Sequence, residues 1–474
     1  MSSIQVATVR GGQASIEASQ LEQLRASFRG ELLNSADAGY DQARTIWNAM
    51  IDRRPALIAR CTGVADVIAA VNFARENGLL TAIRSGGHNV AGNSICDGGM
   101  VIDLSWMRTV RVEPENLLAH VSPGATLGDV DHETQAFGLA TPVGVNSTTG
   151  IAGLTLGGGF GWLSRKYGMT VDNLTAVDVV TAEGQFIRAN EWEHPDLFWA
   201  TRGGGGNFGV VTRFEFKLHQ VGTQVFSGLV VFSLDEGVSI LKQYREYASN
   251  LDNDTSVWVV MRKAPPLPFL PVSVHGKEIL ALACFHAGDP LEGEKAIDPV
   301  RGFGKVLGEH LGVQPYTAWQ QAFDPLLTPG ARNYWKSHNF TELSDGVIDQ
   351  AVKYAANLPS DECEIFFGQL AGEVAKKPVE ETAYPHRDAD YVLNVHGRWQ
   401  NASDDDKCIS WARQFYQDTA PYATGGVYVN FLTHDETERV EAAYGPNYQR
   451  LKKTKETYDP DNFFRLNQNI PPGR

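Results

Sequence analysis

The chain has 474 residues, 43% of them hydrophobic and 20% charged, the make-up of a folded globular protein and not of a disordered one. Its length exceeds what a single core usually supports, so two domains are expected. A formal net charge of −15 repels polyanions, which argues against nucleic acid as a partner, and no run approaches the ~20 apolar residues that a membrane span needs.

The opening residues lack the basic-then-apolar layout of a secretory leader. Five cysteines, Cys61, Cys96, Cys284, Cys363 and Cys408, are scattered with no CxxC pair. An odd, dispersed set points to a reducing compartment, so a cytoplasmic protein is expected. Glycine, at 47 residues, exceeds the ~7% usual share, and the excess is clustered, which places it in loops around a ligand.

In chain order, residues 1–39 are polar, with a short helical pattern over 21–28. Residues 56–59 read as a strand, and Thr62 is placed to cap a helix whose apolar positions Val64, Val67, Ile68, Val71 and Ala74 share one face. Gly78 ends that helix, and an apolar strand over 79–83 runs into Arg84, Ser85, Gly86, Gly87, His88 and Asn89. Paired glycines let the backbone approach a ligand closely, and consecutive amides there can form a nest for phosphate oxygens with His88 at its rim. Strands follow at 100–104, 109–112 and 118–121, then a helix at 129–137. Seven glycines between 141 and 161 are too many for a packed helix, at about 1 kcal/mol each, and read as a long backbone cradle. A hairpin over 174–188 and a short helix over 194–200 lead to a third glycine-rich stretch at 202–209 and a strand at 210–216.

Near residue 218 the cradles stop. Strand patterns at 225–232, 256–260, 279–285, 364–370 and 391–395 alternate with helical ones at 237–248, 346–356 and 407–418, as in a mixed or antiparallel sheet backed by helices. The expected divisions are an N-terminal segment (1–39), a cofactor domain (40–217), a substrate domain (218–424) and a C-terminal segment returning to the cofactor domain (425–474), within an α+β fold. No metal is expected: His286, His310, His338 and His434 are widely spaced, and no HExxH or Cys/His cluster occurs. The Walker pattern and a strand–GxGxxG–helix unit are also missing.

The three glycine-rich segments, taken with Tyr428-Val429-Asn430-Phe431 and the Tyr458-to-Phe464 tail, resemble the FAD-linked oxidases of the berberine bridge enzyme-like family. That family lies within the vanillyl-alcohol oxidase / p-cresol methylhydroxylase superfamily. The resemblance implies an FAD-binding domain of that type and a flavin bonded covalently to His88. It places Arg84, Ser85, Gly86, Gly87 and Asn89 at the cofactor, with Asn146, Thr148, Thr149, Gly150, Gly153, Gly157, Gly158, Val211, Asn467 and Asn469. Many members tether the flavin a second time through cysteine; here Asn146 holds that place, so a single link through His88 is expected. Thr149 falls where the family gates oxygen, and its near-valine volume leans towards oxidase behaviour.

The implied activity is oxidation of an alcohol, sugar or secondary metabolite by hydride transfer to the flavin, with O2 as acceptor and H2O2 formed. A dehydrogenase using another acceptor, and a non-redox isomerase or cyclase, are the alternatives. Tyr428 is the expected catalytic base, with a lowered pKa, and Asn430, two residues along the same strand face, is expected to contact flavin or substrate. His396 and Tyr334-Trp335-Lys336 are further cavity candidates, with a solvent-facing histidine and core packing as the plainer readings. Asp172-Asn173 and His386-Arg387 are expected to be structural, and Asp404-Asp405-Asp406 to start a helix.

Overall fold

The computed structural model describes residues 3–473. Two main sheets form the N-terminal half, beside two-stranded pairings of Ile4–Ala7 with Gln13–Ile16 and of Leu139–Ala140 with His219–Gln220. In a four-stranded sheet, Leu57–Arg60 and Thr81–Arg84 both run parallel to Met100–Asp103, while Glu31–Leu33 closes the edge antiparallel. The helix Val64–Glu76 is the crossover that a parallel pair requires, and it buries Val67, Val71 and Ala74 as its apolar spacing anticipates. Thr62 does not cap it. Gly63 is the N-cap, and the Thr62 amide and hydroxyl both donate to Asp66, each at 2.9 Å, because that carboxylate sits at the helix start. The second sheet is antiparallel, in the order Phe186–Asn190, Leu174–Val180, Val210–Lys217, Leu118–Val121, Val110–Glu113.

The other half is a seven-stranded sheet, antiparallel at every pairing. Its order is Val306–Pro315, Gln224–Ser233, Glu278–His286, Thr255–Lys263, Glu364–Gln369, Tyr391–Trp399, Arg332–Phe340. Period-two alternation gives it two faces. Val257, Val259, Met261, Ile365, Phe367, Leu393 and Val395 pack on the helices Gly237–Ala248, Asp345–Ala355 and Asp405–Thr419 in one apolar core. The intervening residues of the same strands face the N-terminal half. The strand Val306–Pro315 escapes the sequence pattern because it is an edge strand with little buried alternation, and Arg332–Phe340 because its polar residues are buried.

Two further expectations are corrected. The glycine-rich stretch contains a short helix, Ile151–Leu156, with Gly150 and Gly157 as its caps and the single glycine Gly153 inside it. Residues 429–431 form a 3-10 turn and not a strand.

The pairing of Thr255–Lys263 with Glu364–Gln369 covers only Val259 to Arg262, which leaves the backbone of Val257 without that ladder. Gln369 Oε1 accepts from its N–H at 3.1 Å and the Tyr244 hydroxyl donates to its carbonyl at 2.6 Å. Removing a buried partner costs about 1–3 kcal/mol. Tyr244→Phe is therefore expected to lower the unfolding free energy by about that much in urea denaturation, with an unchanged m-value.

Arg387 and Asp172 form a buried bidentate ion pair at 2.7 Å, which joins the loop before Tyr391–Trp399 to the 3-10 turn Thr170–Asn173. All five cysteines are unpaired, and among the described residues no helix is long and apolar enough to cross a membrane.

Candidate functional site

Between the two halves lies a cavity of about 400 Å³, floored by the three glycine-rich segments and roofed by one face of the seven-stranded sheet. Ser85, Gly86, Gly87, His88 and Asn89 line its floor. Among the described residues, none of the five backbone N–H groups from 85 to 89 donates to another protein group. Gly87 turns the chain there with φ of 69°, a left-handed value that glycine adopts without penalty. Gly86 lies so close to the second cradle that a Cβ on it would stand 2.6 Å from the Gly150 nitrogen. Gly86→Ala must push these loops apart, at an overpacking cost of about 1–3 kcal/mol. The expected outcome is a lower melting temperature together with reduced flavin content per chain, read from the visible absorbance.

The segment 85–89 thus brings five amides without a protein acceptor to the cavity lining, and successive free amides of this kind can hold phosphate groups. From the second cradle Asn146, Thr149, Gly150 and Gly153 line the cavity, and a Cβ on Gly153 would meet nothing within 4 Å. Val211 and Asn467 also line it, and Asn467 Oδ1 is buried without a hydrogen-bond partner. Asn469 Oδ1 is likewise unpartnered, although Asn469 is set back from the cavity. Free amides, the orphaned Asn467 acceptor and a largely apolar lining fit a flavin dinucleotide. Arg84, Thr148, Gly157 and Gly158 do not line the cavity. Arg84 donates to the Ala43 carbonyl, and Gly157 and Gly158 lie against the Asn430 amide and the Tyr384 ring.

His88 stacks on Trp47 with ring centroids 5.0 Å apart and planes 21° apart. Protein encloses the ring except where it opens to the cavity, and this burial pushes its pKa down to about 4, so the imidazole is neutral at physiological pH. Its Nε2 lies 3.1 Å from Thr148 Oγ1. The Thr148 hydroxyl donates its one proton to Asn146 Oδ1 at 2.8 Å, and that oxygen also accepts from the Thr148 amide. Thr148 Oγ1 is left as the acceptor, so Nε2 carries the ring proton and Nδ1 keeps its lone pair. Asn146 stands directly behind this arrangement, and no cysteine lines the cavity.

Tyr428 is buried, with its ring edge-on to Phe160 and Phe431. Its oxygen accepts from the Gly159 N–H at 3.1 Å and from Asn430 Nδ2 at 2.9 Å. The 3-10 turn folds Asn430 back onto Tyr428, which strand spacing does not anticipate; Asn430 Nδ2 also donates to the Leu154 carbonyl. Contrary to the expectation of a lowered pKa, burial pushes Tyr428 up to about 12; the two donors pull the other way, and no cation is among its neighbours to outweigh burial.

The roof joins the cavity candidates His396 and Trp335 to Arg262, Ile279 and Glu364, which no sequence pattern singles out. Register aligns Ile279, Arg262, Glu364, His396 and Trp335 as one row across five strands, and all five line the cavity. Arg262 Nη1 donates to Glu364 Oε2 at 2.7 Å, and His396 Nδ1 lies 3.1 Å from Glu364 Oε1. Burial disfavours the Glu364 carboxylate, yet Arg262 and His396 hold its pKa at about 2. His396 is buried, not solvent-facing, and Trp335 is a cavity wall; Tyr334 and Lys336 point instead to Asp435. Trp47, stacked on His88, has no local signature beyond its place before Asn48, whose amide bonds the Val90 and Asn333 carbonyls.

Comparison with known proteins agrees with this geometry. Residues 55–190 match the family described as FAD binding domain, and residues 427–471 the one described as berberine and berberine like. The (R)-6-hydroxynicotine oxidase of Paenarthrobacter nicotinovorans is 32% identical, over 94% of this chain and 97% of its own. The xylooligosaccharide oxidase of Thermothelomyces thermophilus is 28% identical, over 90% of this chain and 89% of its own. The crystal structure of 6-hydroxy-D-nicotine oxidase from Arthrobacter nicotinovorans superposes with a TM-score of 0.85 at 28% identity, covering 94% of this chain and 99% of that one.

Proposed function

The chain belongs to the berberine bridge enzyme-like FAD-linked oxidoreductases, and on that premise we propose that it is an oxidase carrying FAD on a single covalent bond to His88. Its substrate would be an alcohol, a sugar or a secondary metabolite, and O2 its acceptor. The observation that carries this reading is the placement of His88, the free-amide nest and Tyr428 around one cavity.

Bound FAD supplies a two-electron acceptor and, once reduced, a donor to oxygen. The protein's part is to bind, orient and move a proton. Residues 85–89 would receive the pyrophosphate, Asn467 an N–H or hydroxyl of the cofactor, and Nδ1 of His88 the tether. Tyr428 Oη would take the substrate proton, with Gly159 and Asn430 stabilising the phenolate. Thr149, at the cavity wall, would meet oxygen on its way in. The relatives named for hydroxynicotine and xylooligosaccharide oxidation make both a nitrogen heterocycle and a sugar reasonable first substrates.

Substrate-reduced enzyme exposed to air tests the oxidase reading. Recovery of the yellow colour within seconds, with one peroxide per turnover, is expected. Recolouring over many minutes, with fast turnover only on an added dye, would assign another acceptor. A product of unchanged mass without peroxide would assign an isomerase or cyclase.

A further inference from the structure

The cross-strand row on the roof is unusual in what it leaves unpaired. Among the described residues that line the cavity, Arg262, Glu364 and His396 are the only acidic or basic side chains besides His88, whose imidazole is neutral. Glu364 is the single acid, and it accepts from Arg262 on one oxygen and faces His396 with the other. Among the described residues Arg262 Nη2 has no hydrogen-bond partner, and its Nε reaches the Lys263 carbonyl at 3.3 Å. His396 Nε2 lies 3.2 Å from Asn333 Oδ1. The Asn333 amide is held in that orientation because its Nδ2 donates to the Ala331 carbonyl at 2.9 Å. Both ring nitrogens of His396 therefore face oxygen acceptors, a setting that only the imidazolium satisfies in full.

At the end of the row the Trp335 indole N–H, buried and edge-on to His396 at 4.9 Å, has no acceptor either. The row thus offers donors in excess of acceptors. With His396 charged it holds two cations against one anion, a state that burial opposes unless a further anion arrives. Arg398, a nearby cation on the next position of the same face of its strand, is already engaged by Glu362 at 2.8 Å and by the Thr328 carbonyl. Around the row the walls are apolar and aromatic: Phe366, Trp258 and Phe431 present rings, with Leu267 and Val260 beside them. Asn394, two residues before His396 and with its Oδ1 unpartnered, and the Trp258 indole N–H are the further polar groups on this wall.

We propose that this row receives the acidic oxygen end, a carboxylate or an equivalent anion, of a substrate whose remaining body is flat and apolar. The inference rests on the reading of the cavity as the substrate site of a flavin oxidase and narrows its substrate class. Arg262 Nη2 would donate to the anion in a charge-assisted bond, and the aromatic rings would take the body.

The test is direct binding to the holoenzyme, read by quenching of tryptophan fluorescence, since Trp258 and Trp335 stand in the wall. The probes are 2-naphthoate, its neutral isostere 2-naphthamide, and xylobiose. The acid is expected to bind at least about tenfold more tightly than the amide, and xylobiose more weakly than either. In Arg262→Met the acid-to-amide ratio should fall to near one while amide binding holds. If Arg262→Met does not fold because Glu364 is left alone, Arg262→Met/Glu364→Met removes the pair together and reads the same ratio. Equal binding of acid and amide to the parent enzyme, tighter binding of xylobiose, or an unchanged ratio in the variant would each overturn the proposal. Because binding is read without turnover on protein whose flavin spectrum is first recorded, an enzyme that binds the acid but forms no peroxide would refute the oxidase reading alone.

Discussion

His88→Ala protein precipitated in acid should leave its yellow colour in the supernatant, while the parent protein keeps a yellow pellet. The state of the ring is the reason. Enclosure holds the His88 pKa at about 4, so at neutral pH the ring is uncharged and one nitrogen has a free lone pair. Thr148, committed as donor to Asn146, accepts from Nε2 and leaves Nδ1 as the nucleophile. Trp47 fixes the ring plane by stacking. Alanine removes the only tether expected, because Asn146 cannot form a thioether and no cysteine lines the cavity. The covalently bound fraction should fall from near complete to none. Thr148→Val gives the graded case. It deletes the hydroxyl that donates to Asn146 and accepts from Nε2; loss of the bond to the ring, about 1–1.5 kcal/mol, should slow covalent incorporation of added FAD into apoprotein by about tenfold without abolishing it. A colourless parent pellet would end the claim of a covalent link, and a yellow pellet from His88→Ala would end the claim that it is the only one.

Tyr428→Phe is expected to lower kcat/KM by about 10²–10⁴, the usual contribution of a positioned proton acceptor. Its pH dependence is the more telling measurement. A base works when ionised, and with a pKa held at about 12 the ionised fraction of Tyr428 rises tenfold per pH unit through the neutral and alkaline range. The logarithm of kcat/KM for the parent should therefore climb with a slope near one between about pH 7 and 10, and the phenylalanine variant should lose that slope. Asn430→Leu, which removes one of the two donors to the phenolate, should move the profile further towards alkaline pH by about one to two units, given about 1.5–3 kcal/mol for a hydrogen bond to a charged group. A flat profile in the parent enzyme would remove Tyr428 as the base and leave it as a cavity wall.

Much of the cofactor half is legible in the order of the amino acids. The nest at 85–89, the cradle over 141–161 and the stretch at 202–209 can be read because close backbone approach demands glycine, and that demand is written locally. The crossover helix Val64–Glu76 is legible for the same reason, its apolar spacing and the glycine beyond its end being short-range signals. Tyr428 and Asn430 stand out in the sequence, but their relation does not. A 3-10 turn brings the Asn430 amide onto the phenol, and an isolated four-residue window cannot distinguish that turn from a strand.

What the chain determined by itself is the class of protein: glycine cradles in order, a histidine at the rim of the first, and an acidic composition with no apolar run long enough to span a membrane. What only the tertiary structure decided is the electrostatics of the site. Arg262, Ile279, Trp335, Glu364 and His396 come from five separate strands, and they form one row only through the register of antiparallel pairing. The Tyr428 pKa was likewise out of reach, because desolvation depends on everything packed around a group and not on its neighbours in sequence. Local conformational needs are encoded residue by residue; burial and charge pairing are properties of the assembled fold.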